Sequence, residues 1–232
     1  MSKPNVRDIA SRWTKTLVRE LNPKLFGSTH VLNSGEWKIG TIVIDGQKYV
    51  DMRGYPFADR FKDVTLHGVD FSSCKFVEPA GFARVTATSC RFIGGAINGS
   101  INGSFTNCRF DECEFIRSIG WPDTQFVRCS FDNANFRRGR FDDSVFKDCS
   151  FRACKFNRTE FVKCRFDACD FTDAEFKEAM IGHCSMTRVR NNFLYHNTED
   201  WSEQISFVAN PDYQTIYFGE TSVGATTFSV EK

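Results

Sequence analysis

From Phe126 to Phe176 a phenylalanine stands at every fifth position, eleven times without a miss. A period of five fits neither a helix face nor a strand face, so the chain must bend after each unit and return over itself. A second column fixes the register. The residue two before each of the last ten of these phenylalanines is small: Cys129, Ala134, Gly139, Ser144, Cys149, Cys154, Thr159, Cys164, Cys169 and Ala174. Large and small positions two apart lie on one face of a short strand, and the two remaining residues of each unit turn a corner. The pattern predicts a solenoid with both columns inside.

The cadence runs backwards through Phe61, Leu66, Phe71 and Phe76, gains a residue near Pro79, and resumes at Phe82, Ala87, Phe92 and Ile97. Between Gly94 and Ser104 (GGAINGSINGS) the apolar spacing drops to four, which predicts a distorted corner or a loop leaving the coil. Phe105, Phe110 and Phe115 restore the rhythm. One extra residue before Trp121 and Pro122 shifts it again, and Ile181 and Met186 extend it forwards.

The unit of small, polar, central Phe or Leu and two variable residues resembles the pentapeptide-repeat family, most specifically over Phe126 to Phe176. The resemblance implies an all-β solenoid: a right-handed quadrilateral parallel β-helix with four units, twenty residues, to a coil. Residues 56–190 then make between six and seven coils, a rod roughly 30 Å long at about 4.8 Å per coil. The resemblance also implies that the C-terminal end can dimerise. It brings one specific activity, because some members shield DNA topoisomerases from quinolones or peptide toxins by presenting a DNA-like negative rod.

Two flanks complete the plan. In residues 1–55, Val6, Ile9, Ala10, Trp13, Leu17 and Leu21 stand at helical spacing, with Asn5 as N-cap and Pro23 beyond the end, predicting one amphipathic helix. Trp37 to Ile44 and Gln47 to Met52 around Asp45-Gly46 predict a β-hairpin. Helix and hairpin are expected to cap the first coil, whose open edge would otherwise template aggregation. Residues 191–232 lose the cadence but keep aromatics such as Phe193, Trp201 and Tyr213. They read as short strands that form a C-terminal cap or a homodimer interface.

Composition agrees with one body: 232 residues, 41% hydrophobic, with 25 Phe to fill a core. No stretch of 18 apolar residues occurs, and the start MSKPNVRD has no apolar h-region. A membrane span and a signal peptide are therefore not expected, and the cytoplasm is the expected location. The ten cysteines invite a disulfide or metal reading, as does His183 beside Cys184. Yet all ten lie two before a central position, no C-x-x-C occurs, and ligands stacked along one wall do not converge tetrahedrally. They read as small buried residues, with Cys129, Cys149 and Cys169 in one stack. Catalytic patterns are missing: the four histidines are scattered, no G-x-S-x-G, H-E-x-x-H or P-loop occurs, and Asp142 with Asp143 falls on a corner. No enzyme activity, cofactor or metal is expected.

Charge then separates the remaining functions. The chain is +1 overall, and residues 126–190 carry thirteen Lys or Arg against ten Asp or Glu. A DNA mimic needs a column of negative charge, so the topoisomerase-protecting function stands as the alternative rather than the first reading. Sorting outward positions twenty apart places Arg137, Arg138, Arg140, Arg152, Lys155 and Arg158 on one wall and its corners, with Asp132, Asp142 and Asp143 interleaved. This short basic ridge is the candidate partner-binding site, suited to an acidic protein surface. Direct nucleic-acid binding is disfavoured because the aromatics are consumed by the core. The expected function is a non-enzymatic scaffold that binds a protein partner through its walls and caps.

Overall fold

A computed structural model describes residues 9, 11–26, 39–182, 184–191, 194–196, 205–208 and 217–218. The repeat folds as a parallel β-solenoid of about seven turns. Each turn has four walls, and the register between turns assigns every central residue to one of them. Wall 1 carries Phe61, Phe82, Ile101, Gly120, Phe141, Phe161 and Ile181 in neighbouring coils. Wall 2 carries Leu66, Ala87, Phe105, Phe126, Phe146, Phe166 and Met186. These two walls hold short strands along the rod, whereas the middle coils of walls 3 and 4 pair through single bridges, such as Asn135 to Lys155 and Lys155 to Glu175, with strands only toward the two ends.

The phenyl rings fill the interior as columns. On wall 3, Phe92, Phe110, Phe131, Phe151 and Phe171 lie parallel at 4.6–5.0 Å between centroids. On wall 4, Phe115, Phe136, Phe156 and Phe176 do the same at 4.6–5.0 Å. The coil rise sets this spacing, and neighbouring columns meet edge to face, as at Phe146 and Phe151.

Most corners have one residue in the left-handed region, from Asp63 (φ 55°) to Arg188 (φ 54°), and nearly all of these carry side chains. Such a conformation costs a residue with a Cβ about 1–2 kcal/mol, so these corners hold only because the coil hydrogen bonds overdetermine them.

The small column does more than leave room. Cys164 Sγ–H donates to the Phe141 carbonyl at 3.2 Å, Cys154 to Phe131 at 2.9 Å, and Thr159 Oγ1–H to Phe136 at 2.8 Å. Ser118 donates to the Ile97 carbonyl in the same way. Each donor satisfies the carbonyl of a central residue one coil back, which explains why Cys, Ser and Thr dominate a position that Ala134 and Ala174 also fill. Cys164→Ala therefore costs about 1 kcal/mol, one net hydrogen bond, and Cys164→Ser costs less. Chemical denaturation of the two variants checks the order.

All ten cysteines are free and buried. Cys90 and Cys108 join Cys129, Cys149 and Cys169 in one stack before wall 3, because the register steps there are 18 and 21 residues rather than 20. Burial pushes the Cys74 and Cys113 thiols well above the ordinary range.

The stretch Gly94–Ser104 stays in the coil, so it is the distorted corner and not the departing loop. Ile97, Ile101 and Phe105 all remain in the core, and Ser100–Thr106 runs as one strand across the corner between walls 1 and 2. It pairs with Gly81–Thr88, which absorbs the mismatch as a bulge between Phe82 and Val85. Gly103 (φ 141°) makes this possible, since a Cβ there would overlap the Val85 carbonyl oxygen.

The extra residue near Trp121 also finds its place. Gly120 occupies the central position of wall 1, where the Phe141 ring takes the space a side chain would need. The insertion is in the corner that follows it, at Trp121–Asp123.

At the N-terminal flank the hairpin forms as expected. β1 (Thr41–Ile44) and β2 (Gln47–Asp51) are antiparallel around Asp45 (φ 50°) and Gly46 (φ 79°), and β2 pairs in parallel with Val69–Asp70 of the first coil. Trp37 and Asn5 lie outside the described residues. The helix differs from expectation. α1 spans Lys15–Phe26, and Thr14 caps it through Oγ1 accepting from the Leu17 N–H at 3.3 Å. Pro23 lies inside α1 rather than beyond its end. Tertiary contacts hold the preceding residues off the expected stripe: Trp13 Nε1–H donates to the Arg53 carbonyl at 2.8 Å and its ring meets Tyr55 edge-on at 4.9 Å. The Arg12 guanidinium grips Asp51 at 2.5 and 2.7 Å.

Burial alone would push Asp51 up, but hydrogen bonds and charge from Arg12 and Arg53 hold it well below the usual carboxylate range. A depressed carboxyl contributes stability that is present above its unfolded pKa of about 4 and is lost as pH falls further. The N-terminal cap is therefore expected to loosen below about pH 4. Asp51→Asn removes this acid limb, which limited proteolysis near residue 12 between pH 7 and pH 3 measures.

Beyond residue 190 the stacking continues. Leu194–His196 pairs with Glu175–Lys177, Ile205–Val208 with Cys184–Thr187, and Tyr217–Phe218 with Leu194–Tyr195. The homodimer expected through residues 191–232 falls mostly outside the described residues. Among the described residues no helix is long and apolar enough to cross a membrane.

Candidate functional site

The six basic residues singled out by sequence do not share one surface. Arg137, Arg138 and Arg158 meet on the corner where wall 4 passes to wall 1 of the next coil, with Arg138 N–H donating to the Asn157 carbonyl at 3.0 Å. Lys155 lies beside them on wall 4, and Arg140 on wall 1. Arg152 turns the other way, toward wall 3, where its Nε–H donates to Asp170 at 2.8 Å.

The corner itself explains why these arginines project. Arg138 (φ 58°) and Arg158 (φ 57°) occupy the left-handed corner position, which directs Cβ out of the rod. Arg117 (φ 59°) holds the same position one coil earlier, its N–H donating to the Arg137 carbonyl at 3.1 Å. Lys177 follows one coil later, its carbonyl accepting from Arg158 N–H at 2.8 Å. Arg117 and Lys177 complete the ridge, and sequence reading missed both. Arg117 stands twenty residues before Arg137 and Lys177 twenty after Asn157, so sorting at twenty places both on the ridge with the same charge signal.

Ion pairing divides the ridge in two. Arg140 is held by Asp142 at 2.8 Å and Glu160 at 3.1 Å, and Arg158 by Glu178 at 2.5 Å. Among the described residues Arg117, Arg137, Arg138, Lys155 and Lys177 make no salt bridge. A shallow cleft of about 240 Å³ opens between Arg137, Asn157, Arg158, Lys177 and Glu178. Of the cations lining it, Arg137 and Lys177 are unpaired, and each can donate to a carboxylate, Arg137 with two parallel hydrogen bonds.

The ridge is built on the stretch with the plainest repeat. Residues 119–194 match the family described as pentapeptide repeat region. They are a pentapeptide-repeat region. No curated protein matches the chain. Among solved structures, two trypsin-treated variants of QnrB1, described as a plasmid-mediated fluoroquinolone resistance protein, are similar. One has 16% identity, covering 62% of this chain and 88% of that one, with a TM-score of 0.22. The other has 14% identity, covering 63% and 83%, also at 0.22. Full-length QnrB1 shows 12% identity over 62% of this chain and 93% of its own, with a TM-score of 0.17.

The described residues of the pentapeptide-repeat rod offer no converging nucleophile and base on the ridge. Among the described residues no group of three or more His, Cys, Asp or Glu is placed to hold a metal ion. What the ridge can do chemically is bind anions.

Proposed function

We propose that this chain is a non-enzymatic scaffold whose corner ridge, Arg117, Arg137, Arg138, Arg158 and Lys177 with Lys155 alongside, docks an acidic surface of a protein partner. The observation that carries this reading is the run of unpaired cations on one rigid corner beside cations already neutralised by carboxylates. Repetition holds these side chains at coil spacing, so a partner meets a preorganised row of donors and the ordering cost of binding is small.

A DNA-mimicking rod would need an unbroken column of carboxylates. Outward positions of wall 3 instead read Asp70, Arg91, Arg109, Ser130, Ser150, Asp170 and Arg190. Asp111 and Asp132 beside them are engaged by Ser130 and Ser150. Shielding of a topoisomerase by charge mimicry is therefore the weaker reading.

Affinity capture from lysate of the source cells, quantified by mass spectrometry, tests the proposal. The partner recovered by the wild-type rod is lost with Arg117→Ala/Arg137→Ala/Arg138→Ala and at 0.5 M salt, where charges about 10 Å apart are screened. Equal recovery by the wild-type and triple-variant proteins contradicts it.

A further inference from the structure

Ile119 and Trp121 point outward on either side of Gly120, 50% and 52% exposed, in a chain whose other coil aromatics are almost all buried. Directly beneath Ile119 the outward column holds Ser100 and then Gly81 before Arg60 continues it, and Asn102 lies beneath Trp121. The result is a trough across wall 1 with an apolar lip. A cavity of about 410 Å³ lined in part by Asn102, Gly103, Pro122 and Asp123 continues it past Trp121.

Two observations mark this trough as a site for a ligand rather than a chance hydrophobic patch. Ser100 is only 4% exposed and its Oγ has no hydrogen-bond partner, while its N–H donates to Glu78 at 3.2 Å, the carboxylate that Arg60 two coils below pairs with. A buried hydroxyl without a partner is costly unless something supplies one. An extended polypeptide does so, because its backbone offers both N–H and C=O groups along its length. The second observation is charge. Across the adjoining corner, Arg117 and Arg138 stand one beside each neighbouring coil, both without a salt bridge.

Resting on the reading of the chain as a protein-binding scaffold, we infer that wall 1 and its corner form a docking groove for an extended peptide segment of a partner, with one large apolar residue on Ile119 and Trp121 followed by acidic residues on Arg117, Arg137 and Arg138. From the Ser100 coil to the Arg158 corner is three coil steps, about 14 Å, or roughly four to five extended residues. Exposed Trp next to unpaired Arg is the pairing that dominates interface energetics. The acidic end gives direction, so the peptide binds in one polarity.

Selection of phage-displayed random heptapeptides on the immobilised full chain, followed by fluorescence polarisation with the labelled consensus peptide, tests the groove. The expected consensus is one aromatic or large aliphatic residue followed by Asp or Glu. Its affinity is expected to fall at least about tenfold with Trp121→Ser and about fivefold or more with Arg137→Ala/Arg138→Ala, the second effect shrinking at high salt. Trp121 is solvent-facing, so its variant keeps the wild-type melting temperature, which circular dichroism verifies. Four results overturn the inference: no enrichment over a blank surface, a consensus without acidic residues, affinity indifferent to Trp121, or Trp121-dependent binding of a dT12 oligonucleotide tighter than any peptide. A partner captured equally by the wild-type and Trp121→Ser proteins but lost on neutralising the corner arginines keeps the scaffold reading and removes only the peptide groove.

Discussion

Phe151→Ala lowers the free energy of unfolding by about 3–5 kcal/mol. The ring lies parallel to Phe131 at 4.9 Å and to Phe171 at 5.0 Å, and its edge meets Phe146 at 5.4 Å. Removing it opens a cavity in the middle of a column. A helical core can shift to fill part of such a space, but here the backbone is pinned on both sides. Phe151 N–H donates to the Asp170 carbonyl at 2.7 Å and Ser150 N–H to Cys129 at 3.0 Å. The neighbouring rings are fixed in the same way, so relaxation recovers little and the loss belongs at the upper part of the range for aromatic truncations. Guanidinium unfolding followed by circular dichroism measures it; a loss under 1 kcal/mol would mean the columns do not bear the core.

The second large effect comes from a single methyl group. Gly103→Ala is expected to cost on the order of 3 kcal/mol, because the residue sits at φ 141°, in a region open essentially to glycine alone. The new Cβ would also overlap the carbonyl oxygen and nitrogen of Val85 on the adjacent strand. Gly94→Ala supplies the control. It has φ 60° and nothing within 4 Å of an added Cβ, so only the left-handed penalty of about 1 kcal/mol applies. The two unfolding midpoints should differ accordingly; equal midpoints would show that the Gly103 corner yields.

The fold was legible where the register is uniform. From Phe126 to Phe176 a coil is twenty residues, every ring falls on its expected wall, and spacing alone assigns neighbours. Earlier coils are 18 to 21 residues long, and the misplaced thiols and the unseen Gly120 trace to that variation. The Cys90–Cys108 end of the thiol stack was missed because its neighbours are not twenty away. Gly120 was not seen as a core position because nothing in a lone glycine announces that Phe141 of the next coil fills its place. Ile119 and Trp121 were hidden for the same reason, since outward facing follows only once Gly120 is known to face inward. At the N-terminus, helical spacing put Trp13 on a helix stripe, but one indole hydrogen bond to Arg53 and the Arg12–Asp51 pair outweighed local propensity. Charge on the ridge was visible from the start; which cations lack a carboxylate was not, because pairing between Arg158 and Glu178 is a contact across coils.

A tube whose large and small columns both face inward leaves only walls and corners to meet a partner. Titration of the native protein with a thiol-reactive chromogen tests this most directly, because all ten cysteines occupy the small inward position. The account predicts no fast-reacting thiol in native buffer, with all ten released together at the rate of global unfolding. Several thiols reacting at the rate of a free cysteine in native buffer would contradict it.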